Sequence, residues 1–68
     1  MYDKKLLMQL IRDFNIKANK IGDYQIDVKK RNNDKRNPYQ IVMLTEDGEK
    51  EKYIGNVKEV CNFITGLL

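Results

Sequence analysis

Lys29 to Pro38 reads KKRNNDKRNP and places five cations in eight residues before a proline. Such residues suit one chemistry well: Lys29, Lys30, Arg31, Lys35 and Arg36 can meet phosphate oxygens, while Asn32, Asn33 and Asn37 supply polar contacts in a groove. The same composition also suits a hydrated turn, because Asn, Asp and Pro are turn formers and Lys is well solvated on a loop. Both readings stay open at this level.

Other chemistries are poorly served. The chain has no His, which removes the commonest general base, and its one cysteine, Cys61, can form no internal disulfide. Cys61 also falls on an apolar helical stripe, where a buried thiol is inert. Glu46, Asp47, Glu49 and Glu51 surround a hairpin tip, and a strand splays alternate carboxylates to opposite faces. The expectation is a non-enzymatic protein with no catalytic residue, cofactor or metal ligand.

The elements that must position the basic stretch follow from periodicity. Leu6, Leu7, Leu10, Ile11 and Phe14 recur at helical spacing after Asp3, a suitable N-cap, and Asn15 to Gly22 reads as the helix exit. Tyr24, Ile26 and Val28 alternate with polar residues as in a half-buried strand. Pro38 holds Asn37 extended ahead of YQIVMLT, a second strand, and Asp47 with Gly48 signals a hairpin into a third strand over Glu49 to Ile54. Asn56 followed by Glu59 forms a capping-box pattern, and Val57, Val60, Cys61, Ile64, Leu67 and Leu68 repeat at helical spacing. The predicted fold class is α+β: one small domain over residues 1–68, α-β-β-β-α, with a three-stranded antiparallel sheet and both helices packed on one face.

Composition bounds the partners. A net charge of +3 with 13 basic and 10 acidic residues permits an anionic partner without demanding one, and it disfavours mimicry of DNA, which needs an acidic excess. The apolar run LLMQLI is too short and too polar for a signal peptide or a membrane span, so a cytoplasmic protein without membrane contact is expected. Lys, Asn and Ile are residues of AT-rich codons, which suggests an AT-rich bacterium, or one of its phages or plasmids, as the source.

Five elements in this order within 68 residues resemble the double-stranded RNA-binding domain. That resemblance implies a minor-groove role for the loop spanning Lys29 to Asn37, and phosphate contacts from the start of the last helix. The family carries a Lys-Lys-x-Ala-Lys-like run there, whereas this chain reads NVKEVC and offers Lys58 beside Glu59. Some small phage-encoded anti-CRISPR inhibitors are similar in layout and length, which implies that so short a chain can act by occupying another macromolecule.

The strand YQIVML departs from the alternation of a one-sided sheet, being apolar on both faces. With Asp47 and Gly48 at the centre of a two-residue turn, Leu44 pairs with Glu51, Val42 with Tyr53 and Ile41 with Ile54. Tyr39, Ile41, Met43 and Ile54 then meet the helices, and Val42, Leu44 and Tyr53 form an outward patch with Tyr53 as anchor. The expected function is an interaction protein, a phage or mobile-element accessory factor or inhibitor, binding a protein or nucleoprotein partner, or a second copy of itself, through this patch and the adjoining loop. The alternative is a nucleic-acid-binding module whose main contact is the basic loop.

Overall fold

The computed structural model describes all 68 residues, Met1–Leu68. The elements run α1 (Lys4–Ile21), β1 (Gln25–Lys30), β2 (Tyr39–Thr45), β3 (Gly48–Gly55) and α2 (Val57–Leu67). The strands form one antiparallel sheet in the order β1-β2-β3. Leu7 and Ile11 of α1, Ile26, Ile41, and Val60, Cys61 and Ile64 of α2 form one buried cluster, so both helices lie on the same face. Extents of 34 × 29 × 16 Å fit two layers, one of helices and one of strands.

Local signals explain the boundaries. Asp3 accepts the Leu6 N–H at 2.8 Å and starts α1. The helix passes through Asn15 and Asn19 and stops at Gly22, whose φ of 75° is the left-handed conformation a residue without Cβ adopts cheaply. Asn56 accepts the Glu59 N–H at 2.9 Å while Glu59 accepts the Asn56 N–H at 3.3 Å, a reciprocal cap that fixes the start of α2.

The β2–β3 register differs from the sequence expectation in two places. Glu46 and Asp47 occupy the turn, Thr45 pairs with Gly48, and Leu44 faces Glu49 instead of Glu51. A turn centred on Asp47 and Gly48 of the preferred type needs positive φ at both, and here only Gly48, at 112°, has it. Further along, Val42 pairs with Glu51 but Ile41 with Tyr53, leaving Lys52 as an unopposed residue in a bulge.

The bulge decides which side chains meet the helices. Beyond it the register is one residue from the expected one, and a shift of one exchanges the faces. The placements of Tyr53 and Ile54 are therefore corrected: Tyr53 lies on the helix side, its ring stacked on Phe63 at 4.7 Å and 12°, and Ile54 lies on the open side.

Both sheet edges are guarded. On β1, Asn15 occupies the outward N–H and C=O of Ile26, and Asp27 accepts the Val28 N–H at 2.8 Å. On β3, Glu49, Lys50 and Glu51 precede the bulge at Lys52, and charges and bulges both discourage an added strand. Pairing β3 with a second copy about an axis normal to the sheet would oppose residues of the same face, glutamate to glutamate and lysine to lysine.

Candidate functional site

The open face is built by alternate residues of the three strands. Asp27 and Lys29 of β1 flank Gln40, Val42 and Leu44 of β2, with Glu49, Glu51 and Ile54 on β3. No helix covers these positions, since the buried cluster draws only on the other face. Lys29 forms an ion pair with Glu49, and a link between the outer strands must cross over the middle one. Val42, between its register partners Asp27 and Glu51, is only 3% exposed although no helix lies on that side. Leu44, at 38%, stays open to solvent.

Of the three residues expected to form an outward patch, the structure therefore keeps Val42 and Leu44 on one face and takes Tyr53 away. Ile54, half-buried, stands in its place across Gln40 from Lys29. Ile54 was legible as apolar but not as outward-facing, because nothing in the string EKEKYIG signals the bulge. The open face thus carries two accessible apolar groups, Leu44 near the hairpin and Ile54 near the β1–β2 loop, with the buried Val42 between them.

That loop is ordered by its own side chains. Asp34 accepts the backbone N–H of Arg36 at 3.0 Å and of Asn37 at 3.1 Å through one carboxylate oxygen. Its other oxygen lies 3.5 Å from the Arg31 guanidinium, which also donates to the Asn37 carbonyl at 3.3 Å. The Arg31 N–H donates to the Pro38 carbonyl at 2.6 Å and closes the loop. The Asn37 N–H, chiefly, holds the Asp34 carboxyl below its ordinary pKa against an opposing desolvation; Arg36 N–H and the Arg31 charge act in the same downward sense.

The five cations singled out from the sequence therefore divide. Lys29 and Lys30 sit on β1, with Lys29 tied to Glu49; Arg31 is turned inward onto Asp34 and Asn37. Lys30, Lys35 and Arg36 are exposed and make no ion pair. They lie at the end of the sheet where Tyr39 pairs with Gly55, beside the start of α2, while Glu46, Asp47 and Glu49 lie at the opposite end. Three unpaired cations thus lie at one end of the sheet, which the near-balanced composition does not reveal.

The start of α2 adds little to this basic end. Its capping box already uses the Glu59 N–H, and the Glu59 carboxylate sits there in place of an external anion. Lys58 lies 5.9 Å from the centre of the Tyr2 ring. Cys61 is fully buried, and burial, with a smaller push from Asp3, raises its thiol pKa above the ordinary value. No group of three or more His, Cys, Asp or Glu side chains converges as a metal site, and no helix is long and apolar enough to cross a membrane.

No family model matches this chain, and neither a curated protein nor a solved structure matches it. The likeness to the double-stranded RNA-binding domain rests on element order alone.

Proposed function

We propose that this protein is a non-enzymatic interaction protein that binds a protein or nucleoprotein partner through the open sheet face and the adjoining basic loop. Such a role fits an accessory factor or inhibitor of a phage or other mobile element, the setting the AT-rich residue usage suggests. The observation that carries the reading is the exposed Leu44 and half-buried Ile54 on a face that no helix covers, the latter next to a loop that its own side chains hydrogen-bond into shape. A pre-ordered loop loses less entropy on binding than a floppy one. Guarded edges favour the face over strand addition as the contact. Capture from source cells after nuclease treatment tests the idea, with wild-type and Leu44→Arg proteins as baits. A protein retained by the wild type and lost with Leu44→Arg is the expected result. Equal capture by both would remove the sheet face from the account.

The second reading is a nucleic-acid-binding module, and the freedom of Lys30 at the end of β1 and of Lys35 and Arg36 on the hydrogen-bonded loop that follows favours it. Retardation of duplex or single-stranded probes by the protein alone would support this reading over the first.

A further inference from the structure

A crevice of about 230 Å³ opens where the C-terminal ends of α1 and α2 lie over the sheet. Phe14, Ile26, Met43, Phe63 and Leu67 form its walls. An apolar cavity of about 150 Å³ already holds a benzene ring, so the space admits an aromatic or branched aliphatic group. It reaches down to the buried core, since Ile26 in its wall is only 2% exposed.

Two opposite charges, Lys52 and Asp23, complete the lining, and neither takes part in an ion pair. Lys52 owes its place to the bulge in β3. Tyr53 takes the position opposite Ile41 and stacks on Phe63, which leaves Lys52 unopposed in the ladder and next to the crevice. Bulges commonly re-aim a side chain in this manner at functional sites. Asp23 is oriented by its turn, one carboxylate oxygen accepting the Tyr24 N–H at 2.8 Å and the other left free.

From apolar walls and two opposite charges in the lining we propose that this crevice binds a small zwitterion with an apolar body, in chemical terms a free apolar α-amino acid. The side chain enters between Phe14 and Phe63, the carboxylate meets Lys52, and the ammonium meets Asp23. A simple carboxylate would face Asp23 and a simple amine would face Lys52, so like-charge repulsion disfavours each. This site lies on the helix side of the sheet and is independent of the open-face reading.

The test is a titration of the isotopically labelled protein with L-phenylalanine, followed by amide chemical shifts up to about 20 mM, a range in which a fragment-sized ligand reaches saturation. Saturable shifts clustered on Asp23, Lys52, Phe63 and Leu67 are expected. N-acetylphenylalanine and phenylalaninamide, each lacking one charge, are expected to bind about three- to tenfold more weakly, and so is phenylalanine to the Lys52→Ala protein. Because Lys52 is exposed, that variant keeps the fold, which the same spectra verify. Absence of saturable shifts overturns the proposal, as does equal affinity for the singly charged analogues or an affinity unchanged by Lys52→Ala.

Discussion

Asn15 grips Ile26 by both of its backbone groups: its side-chain N–H donates to the Ile26 carbonyl at 2.9 Å, and its side-chain oxygen accepts the Ile26 N–H at 2.8 Å. A helix residue thus plays the part of a missing strand and pins α1 against the outer edge of β1. Asn15→Ala is expected to cost about 1 to 3 kcal/mol, because two part-buried backbone groups lose their partner. Asn15→Asp keeps the acceptor but sets a carboxylate against the carbonyl, so it should not rescue. Urea unfolding measures both variants, and faster exchange of the Ile26 amide would locate the damage.

The two faces of the sheet are expected to separate by stability. Ile41→Ala should cost about 2 to 5 kcal/mol, as for other fully buried aliphatics, and Leu44→Ser no more than about 0.5 kcal/mol. Val42 is on the open side yet covered, so Val42→Ala should fall between them at about 1 to 2 kcal/mol. Tyr53→Ser should cost about 2 kcal/mol through loss of its stack on Phe63 together with the apolar area its half-buried ring covers. A silent Tyr53→Ser in denaturant titrations would return Tyr53 to the outer face and remove the bulge register.

Acid should loosen the β1–β2 loop. The carboxyl of Asp34 is held below its ordinary pKa in the fold, so its contribution is fully present above about pH 3.9 and is lost as pH falls through the lowered folded value. Arg36 and Asn37 amide resonances are expected to hold steady from neutral pH down to that range and to shift below it. Asp34→Asn should abolish the step, because no proton is then taken up at this site.

If the loop grips a duplex, its charge count sets the salt dependence. With Lys30, Lys35 and Arg36 free, the slope of log affinity against log salt is expected near −2.7, or about a fortyfold loss between 50 and 200 mM. A slope near −4.5 would mean that Lys29 and Arg31 break their internal contacts to join. Triple replacement of Lys30, Lys35 and Arg36 by Glu should abolish retardation while leaving the unfolding midpoint nearly unchanged. Retardation that survives it would place the nucleic-acid contact elsewhere.

Element order was legible in the sequence because each element is specified locally. The stripe from Leu6 to Phe14, the alternation around Ile26 and Val28, the cap at Asp3 and the box of Asn56 and Glu59 all act over four residues or fewer, and all are present in the fold. The facing of β3 was not legible. It depends on where one extra residue is absorbed between β2 and β3, and tertiary packing decided it: stacking Tyr53 on Phe63 places Lys52 in a bulge. Nor could KKRNNDKRNP say which cations stay free, since the partner of Lys29 is Glu49, a residue brought near only by folding. Within the loop Asp34 turns Arg31 inward, a local contact that composition alone does not distinguish from solvation. Short-range hydrogen bonds and periodicity thus determined the parts, while register and cross-sheet contacts, which depend on residues distant in the chain, decided which surfaces the protein presents.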